Sequence, residues 1–466
     1  MEHKQTKRPV THKVRRDVAG GRRGQGNKVS RRAHRANPEK IHIGRPDNNL
    51  SSVAGLVAFG VFLRKAGIDQ EMSDMFGRLK RGSGVVYPMA FQLRLGIDML
   101  AAGETRLFGV EALACDPLFS RLAGGLVPSV DTLYDDFARF DTRALSDLDA
   151  LAARQGLLPV PALRQPLIYA DLDTTVTPTP GEHEGAVPGP NPKYHGRPSY
   201  HPMLMRLAAT DTIVGAQLRR GDTGFGADDV ATVVEWVGRI QRKARPRSAV
   251  CVRIDSAGDC TAFMKGVHDC RAYFLTKAKL TPDLFGAVAA QPRWRTTDAD
   301  ADGKPTRQVA EIDFRRRAWD DAGLGGVRVI AVRSQDRQGK QTFLADDLAW
   351  TVQVFFTNRM DEDADEIAWS YDSRAGIEAL IAELKGAWGI GQTTGYAFVA
   401  NHAMLLLKVL THNLLRRYAR EVFPQVARWR TPWLRRVLVR VPGRLSRSGR
   451  KTTLHLPSGS PVRLQE

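Results

Sequence analysis

The chain has 466 residues, of which 42% are hydrophobic, which is enough for a sizeable core and more than one compact domain usually needs. Its 69 Lys and Arg outnumber 50 Asp and Glu, giving a formal net charge of +19. The excess lies at the ends, since residues 1–49 carry a net +10 and residues 413–466 a net +11, while the middle is close to neutral. Basic arms around a neutral body are typical of proteins that bind a polyanion, and we expect nucleic acid as the partner.

The same composition excludes several classes of protein. No apolar run reaches the roughly 18 residues of a membrane helix, and the N-terminal arm lacks the apolar core of a signal peptide, so we expect a cytoplasmic protein with no membrane partner. The four cysteines show no C-x-x-C spacing, which argues against a zinc site or a disulfide framework. His183, His195 and His201 lie in a Gly/Pro-rich loop without cysteine partners and are not expected to bind a metal.

The first third of the chain combines a basic arm with a helical segment. Residues 1–49 are rich in Arg, Lys and Gly and poor in apolar residues, which predicts a basic disordered arm. Residues 50–165 contain apolar runs of helical periodicity, with Ser129 as the N-cap of one helix, and predict an all-helical DNA-binding domain. The short helices around residues 132–140 fit a helix-turn-helix DNA reader, and they fit equally a small bundle that reads no DNA.

From residue 167 the pattern changes to strands. The apolar runs predict, in order, strand 167–176, hairpin strands 203–209 and 213–219, helix 227–245, strand 250–254, helix 261–270 and strand 272–278. Three strands, a helix, a strand, a helix and a strand is the order of an RNase H-like fold. The sequence therefore predicts an α/β protein whose core is an RNase H-like mixed sheet flanked by helices, with its first part in residues 166–279.

The remaining sequence predicts an interruption of that core and its completion. Residues 280–360 are rich in strand patterns and are interpreted as a β-rich insertion. Residues 361–420 contain a strong helix and are interpreted as the second part of the core. Residues 421–466 form a basic C-terminal tail.

Two strands of the predicted core carry acidic residues. Asp171 and Asp173 lie two apart on the first strand, so their side chains point to the same face. Asp255 ends the apolar strand 250–254, where a carboxylate is unfavourable unless a metal or hydrogen bonds compensate its charge. A single aspartate is more often a cap or turn residue, as we expect for Asp222 in Arg-Arg-Gly-Asp-Thr-Gly.

The helix after the insertion places a third carboxylate among polar side chains. At about 100° per residue, Tyr371, Arg374 and Lys385 all lie within about 40° of Glu378. Glu383 falls about 140° away and is expected to be solvated. Helical phase therefore selects Glu378 over Glu383 as the functional carboxylate.

These residues carry a family resemblance. Tyr371, Arg374, Glu378 and Lys385 match the pattern Y-x2-R-x3-E-x6-K, which resembles the signature of one large branch of bacterial insertion-sequence DDE transposases. The Thr-Thr pair after Asp173, the Ser-Ala-Gly run after Asp255 and the β-rich insertion are also similar to that branch. The resemblance spans roughly residues 50–420.

The resemblance implies a catalytic set and a reaction. Asp173, Asp255 and Glu378 would be both the catalytic residues and the ligands of two Mg²⁺ ions, for which Mn²⁺ can substitute. The protein would cleave double-stranded DNA at the terminal inverted repeats of its own element and join the freed 3′-OH ends to target DNA. It would act as a homodimer, because two ends must be brought together. From the residues alone, Asp171 stays open as an alternative to Asp173.

The resemblance and the basic loop also indicate residues that contact DNA. By the resemblance, Arg374 and Lys385 would contact phosphates near the active site, and Tyr371 would pack or hydrogen-bond against the backbone of the transposon end. Lys193 and Arg197, in the Gly/Pro-rich loop before the hairpin, are further candidates for backbone contacts.

Three other functions remain open from the sequence. The first is an RNase H-like DNA nuclease that cuts without strand transfer. The second is a non-catalytic DNA-binding protein derived from a transposase, which the three carboxylates disfavour. The third is a basic RNA-binding protein, although no aromatic-interleaved RNA module is visible.

Overall fold

The computed structural model describes residues 37–189, 195–335, 343–345 and 348–460. The chain divides into two units, residues 1–47 and residues 48–466. In the described part of the first unit the chain forms one 3-10 helix, Pro38–Lys40, whose N-cap Asn37 accepts a hydrogen bond from the backbone N–H of Glu39. Most of the predicted basic arm lies outside the described residues.

The second unit contains the α-helices of the described chain. In order they are α1 (Leu56–Lys65), α2 (Ile68–Phe76), α3 (Met89–Ala102), α4 (Gly109–Ala114), α5 (Pro117–Leu122), α6 (Val130–Phe137), α7 (Thr142–Leu157), α8 (Ala227–Gln241), α9 (Thr261–Asp269), α10 (Pro282–Ala289), α11 (Arg317–Asp321), α12 (Ala364–Asp372), α13 (Ala375–Ala387), α14 (Phe398–Val422) and α15 (Thr431–Leu438). Ser129 is the N-cap of α6 as expected, because its hydroxyl accepts a hydrogen bond from the N–H of Thr132.

In the described part of the second unit, all of the β-strands except β1 lie at or after residue 167. In order they are β1 (Leu50–Ser51), β2 (Leu167–Thr174), β3 (Thr177–Pro178), β4 (Ser199–Tyr200), β5 (Met203–Leu207), β6 (Thr212–Gln217), β7 (Ala249–Ile254), β8 (Tyr273–Lys277), β9 (Arg295–Ala299), β10 (Pro305–Glu311), β11 (Arg328–Gln335), β12 (Phe343–Ala345), β13 (Leu348–Thr357), β14 (Gly443–Ser448) and β15 (Lys451–His455).

A mixed sheet forms the centre of the second unit. Its strands follow the spatial order β6, β5, β2, β7, β8, β13, β11, β10, β9, and β12 pairs with β13. The strands β2, β7 and β8 are parallel to one another, and β5 is antiparallel to both of its neighbours, β2 and β6. The helix α9 connects β7 to β8 and is the crossover that parallel neighbours require, whereas α8 connects β6 to β7, which lie apart in the sheet.

The segment interpreted as a β-rich insertion extends this sheet. The strand β13 pairs antiparallel with β8, with Phe355 opposite Lys277, and β11, β10 and β9 follow beyond it. The apolar side chains of β10, β11 and β13 therefore enter the same cores as those of the first strands. Residues 280–360 interrupt the predicted core in the sequence, but in the structure their strands continue the same large sheet.

Helices cover both faces of the sheet, and the central strands are buried on both sides. Ile168, Ala170 and Leu172 of β2 pack with α8 and α9 on one face. The opposite face of β7, β8 and β13 packs against α12, with Cys251 and Ile367 in the same cluster. The sheet is thus buried from both sides, as expected for parallel strands.

The helices of residues 56–157 pack around the long helix α14. Phe59, Leu100 and Leu148 share one apolar cluster with Leu410 and with Ile213 of β6. In the described residues no helix combines the length and the apolar character needed to cross a membrane. The segment interpreted as a basic tail folds back in the described chain, since β14 pairs with both β15 and β1.

Candidate active site

The register of two parallel strands brings the first two carboxylates together. Asp171 of β2 is the partner of Arg253 of β7, so two residues further along Asp173 and Asp255 stand at the same level, where both strands end. Thr174 donates its backbone N–H to Asp173 Oδ1 at 2.9 Å, and Ala257 donates its N–H to Asp255 Oδ1, also at 2.9 Å. The two aspartates thus lie at one edge of the sheet on the face that carries α12 and α13.

The structure places Asp171 in a different environment from Asp173. Asp171 is fully buried and accepts hydrogen bonds from Arg206 Nη1 at 2.7 Å and Arg253 Nε at 2.6 Å. Both of its oxygens are therefore occupied by guanidinium groups inside the protein. Asp173 retains 15% of its side-chain surface exposed at the edge. Asp173 is accordingly the carboxylate of this strand that a ligand can reach, and Asp171 serves to neutralise buried arginines.

The helix α13 supplies the third carboxylate. Glu378 lies in its first turn and is 68% exposed. Arg374, immediately before the helix and almost fully buried, connects the carboxylates, since Nη2 is 3.2 Å from Asp173 Oδ2 and Nη1 is 3.3 Å from Glu378 Oε1. Tyr371, Arg374 and Glu378 are thus gathered at the edge where Asp173 and Asp255 end their strands.

The sequence predicts one continuous helix through Tyr371 and Lys385, and this expectation is wrong. The structure has two helices, α12 and α13, which meet at Ser373 and Arg374. Arg253 Nη1 donates to the carbonyl of Ser370 and to the hydroxyl of Ser373, and the N–H of Arg374 bonds to the carbonyl of Tyr371 instead. The break has a physical cause, because a buried arginine takes the carbonyl that a continuous helix would use.

The expectation that Glu383 is solvated is also wrong. Its side chain is only 8% exposed, and Oε1 accepts hydrogen bonds from the N–H of Thr431 at 3.0 Å and from the Thr431 hydroxyl at 2.6 Å. Arg416 of α14 lies 3.4 Å from the same oxygen. The surface that Glu383 faces is covered by α14 and α15, which helical phase within one element does not show.

Burial and mutual repulsion change the acidity of the site. Burial, opposed by Arg374 and reinforced by the charges of Asp255 and Glu378, raises the pKa of Asp173 to about 6. Burial likewise raises the pKa of Tyr371 to about 12, and the same three carboxylates contribute to this shift. The electrostatic influence of Asp255 and Glu378 on both groups places all of these side chains in one local field.

The other residues expected to contact DNA lie at different distances from this edge. The ring centroid of Tyr371 is 4.6 Å from that of Phe355, and the side chain is largely buried. Lys385 donates from Nζ to the carbonyl of Val176 at 2.9 Å, just beyond the end of β2. Arg197 is exposed in the loop before β4. Lys193 lies outside the described residues.

The donor chemistry of the site fits a hard divalent cation, since carboxylate oxygens are the ligands such ions prefer. Within the described ranges, no three His, Cys, Asp or Glu side chains already form a group that could hold a metal ion. Arg374 contacts both Asp173 and Glu378 and supplies positive charge there. Two observations support the fit: the pKa of Asp173, which burial and then the charges of Asp255 and Glu378 raise, and the partial exposure of both carboxylates.

Three residues that sequence reasoning missed hold the site in place. Arg253 interrupts the apolar strand before Asp255, and Arg206 bridges Asp171 and Asp211. Gly376 packs against Arg206, because a Cβ atom there would lie 2.6 Å from Arg206 Nη1. The available signal was Arg253 itself, since a charge inside an otherwise apolar strand needs a buried partner.

The fold and the site define an α/β protein with acidic side chains gathered at one edge of a large mixed sheet. Residues 35–464 match the family described as Transposase DDE domain group 1. Because this range covers most of the chain, the chain belongs to that family of DDE transposases. Its members are in general DNA-cleaving enzymes that depend on divalent metal ions.

No curated protein matches the chain. Among solved structures, the chain is similar to the cryo-EM structure of the piggyBac transposase synaptic complex with hairpin DNA, with 11% sequence identity and a TM-score of 0.44. The match covers 82% of this chain and 79% of the piggyBac chain.

Proposed function

We propose that this protein is the transposase of a bacterial insertion sequence, which cuts DNA at the terminal inverted repeats of its element and joins the ends to target DNA. The observation that carries the proposal is the placement of Asp173 and Asp255 at one level on adjacent parallel strands, with Glu378 linked to Asp173 through Arg374. The family to which the chain belongs supports the same reaction class.

The core of the protein is proposed to be RNase H-like. The spatial order β6, β5, β2, β7, β8, in which β5 is antiparallel to its two neighbours and β2, β7 and β8 are parallel, supports this assignment. Acidic residues at the ends of parallel central strands are accessible to a substrate, because ligands of such sheets bind outside the carboxyl ends of the strands.

Asp173, Asp255 and Glu378 are the proposed ligands of two Mg²⁺ ions, with Mn²⁺ as a substitute. When bound, such ions polarise the attacking and leaving oxygens and neutralise charge on the phosphate. Asp173 lies between the other two carboxylates in this assignment, since it shares a sheet edge with Asp255 and an arginine with Glu378. Arg374 is positioned to contribute positive charge at the same edge.

The reaction comprises two displacements at phosphorus. In the first, a water oxygen bonds to the phosphorus, the bond to the 3′ oxygen breaks, and a free 3′-OH is left. In the second, that 3′-OH attacks a target phosphodiester, so one P–O bond forms as another breaks and no oxidant or energy source is required. The DNA must be held in register throughout, and Arg374, Lys385, Lys193 and Arg197 are proposed to contact its backbone.

Lys385 has structural support for that role. Its ammonium group lies against the carbonyl of Val176, three residues after Asp173, which places a positive charge beside the end of β2. Tyr371 is proposed to pack near the end of the DNA, although most of its ring contacts Phe355. Two transposon ends require two active sites, and we therefore propose a homodimer in the complex with DNA.

The proposal is tested with purified protein, Mg²⁺, linear DNA carrying the inverted repeats that flank its gene, and a supercoiled target plasmid. Cleavage at the repeat ends followed by products joined to the plasmid is the expected result. Cleavage without joined products would replace the proposal with a nuclease. Sequence-specific binding without any cleavage, in either Mg²⁺ or Mn²⁺, would leave only a DNA-binding protein derived from a transposase.

A further inference from the structure

A basic surface with exposed aromatic rings lies around α15. We call it the Arg/Trp surface, and it consists of Arg428, Trp429, Arg430, Trp433, Arg436 and Arg440. The two tryptophan side chains are 43% and 55% exposed, which is unusual for so large an apolar residue. The guanidinium carbon of Arg436 lies 5.5 Å from the ring centroid of Trp433.

The charge of this surface is not balanced locally. No Asp or Glu occurs between residues 422 and 465. Within the described chain, none of the four arginines forms an ion pair with a carboxylate. Beside Arg436 and Arg440, a cleft of about 640 Å³ opens between the ends of α3, α13 and α15. Unpaired arginines at an open cleft are complementary to a polyanion.

The Arg/Trp surface is fixed firmly to the helix that carries Glu378. Glu383 of α13 accepts hydrogen bonds from the N–H and the hydroxyl of Thr431, at the start of α15. Trp388 donates from its indole N–H to the Thr431 hydroxyl at 3.2 Å, and Arg435 donates to the carbonyl of Ala387. Glu383 lies five residues after Glu378, a rise of about 7.5 Å along the same helix, so the surface is attached to the helix that carries Glu378.

We propose that the Arg/Trp surface binds DNA at a stretch where bases are unpaired. The arginines contact backbone phosphates, and the faces of Trp429 and Trp433 stack on bases that have left the duplex. Arginine alone would serve for any phosphate backbone, whereas an exposed indole between cations adds binding energy where a base is free to stack. This inference rests on the proposed function in one respect, namely that the nucleic acid is DNA.

The arginine part is tested with full-length protein in EDTA, so that no DNA is cut, and with a short duplex of arbitrary sequence. R436A/R440A is expected to reduce the slope of log Kd against log salt by about two, since each lost phosphate contact reduces it by about one. R315A/R317A is the matched control, because it removes two exposed arginines near α11. An equal loss in both variants would overturn the proposal, since net charge alone would then explain the binding.

The tryptophan part is tested with the same duplex carrying a single-stranded thymidine tail. W429A/W433A is expected to weaken binding of the tailed DNA by roughly five-fold to a hundred-fold and to leave binding of the blunt duplex within about two-fold. W429F/W433F should restore much of the loss, because phenylalanine retains an aromatic face. Equal binding of the tailed DNA by wild type and W429A/W433A would overturn the stacking role.

Two other outcomes distinguish DNA binding by this surface from a dimer interface and from the proposed transposase activity. If light scattering shows that W429A/W433A dissociates a dimer while binding of both DNAs is unchanged, the surface is an interface between copies of the chain and the proposal is wrong. If the expected binding pattern appears but wild-type protein never cuts DNA in Mg²⁺, the Arg/Trp surface stands and the proposed transposase activity fails.

Discussion

At the scale of single residues, the site is built from two matched pairs. Asp171 and Asp173 on β2 face Arg253 and Asp255 on β7, and the first member of each pair is buried while the second lies at the edge. The sequence places both aspartates of β2 on the same face and cannot choose between them. The choice depends on Arg206 and Arg253, which approach Asp171 from other strands.

This arrangement predicts that a substitution at the buried Asp171 lowers stability more than the same substitution at Asp173. Asp171→Asn is expected to destabilise the protein by about 3 to 5 kcal/mol, because it leaves the buried guanidinium of Arg253 without its carboxylate and that of Arg206 with Asp211 alone. Urea unfolding at neutral pH measures the change, with Asp173→Asn as the comparison at the exposed edge. If Asp171→Asn is as stable as wild type, the two arginines do not depend on Asp171.

The raised pKa of Asp173 predicts a pH-dependent stability in metal-free protein. The folded chain holds this proton up to about pH 6, whereas the unfolded chain releases it near 3.8. The stabilising contribution is therefore complete below pH 4 and is lost as the pH rises through 6. Relative to Asp173→Asn, wild type should lose on the order of 2 to 3 kcal/mol between pH 4 and pH 7.5.

Urea unfolding in EDTA at the two pH values measures that difference. The Asn variant is the proper reference, since it cannot titrate and all other groups cancel. A stability difference that does not change with pH would show that burial and the nearby carboxylates do not raise the pKa of Asp173.

At the scale of helices and strands, the sequence predicts the core closely. The strands expected at 167–176, 203–209 and 250–254 begin within one residue of β2, β5 and β7, because apolar runs bounded by turn residues are a strong local signal. The break between α12 and α13 could not be predicted, since it is caused by Arg253 from a strand more than a hundred residues earlier. The prediction that Glu383 is solvated failed for the same reason, because α15, which comes much later in the chain, covers its side chain.

Close packing of α13 on the sheet predicts a sharp contrast between two glycines of that helix. Gly376→Ala is expected to destabilise the protein by about 1 to 3 kcal/mol and to lower DNA cleavage, because Arg206 is held by Asp171 and Asp211 and cannot move aside freely. Gly386→Ala is the control, since nothing lies within 4 Å of its added Cβ, and it should stabilise the helix by about 0.5 kcal/mol.

Thermal and urea unfolding of both glycine variants measure the contrast. Equal effects at the two positions would mean that α13 does not press on Arg206.

The contact between α13 and α15 predicts a structural role for Glu383. Glu383→Ala is expected to cost about 3 kcal/mol, because Arg416 loses its carboxylate and Thr431 loses a hydrogen-bond acceptor in a buried position. Glu366→Ala, at an exposed position in the first turn of α12, should change stability by less than about 1 kcal/mol. A similarly small change in stability for Glu383→Ala in urea unfolding would contradict this structural role and would favour the solvated Glu383 that helical phase indicates.

At the scale of the whole molecule, the fold determines where the described part of the basic C-terminal end and the N-terminal helices lie relative to the candidate active site. The sequence predicts basic ends around a neutral centre, and the structure places the described part of the C-terminal end next to the helix of Glu378. The helices of residues 56–157 pack on α14 in a core shared with β6, so that any DNA they bind would be held rigidly with respect to the sheet. A DNA-binding role for those helices stays a prediction, as does dimerisation.

The central claim is that Asp173, Asp255 and Glu378 act as one catalytic set. Its most direct test is the rate of strand cleavage by D173N, D255N and E378Q in Mg²⁺, measured on DNA that carries the inverted repeats of the element. D222N is the matched control, because Asp222 is an exposed carboxylate that is paired with Arg220 and does not belong to this set.

Each of the three variants is predicted to lose at least about a thousand-fold in rate while it still binds DNA, because each removes several kcal/mol of charge stabilisation at the phosphate. D222N should cleave at the wild-type rate. Cleavage by E378Q or D255N within about ten-fold of wild type would contradict the account.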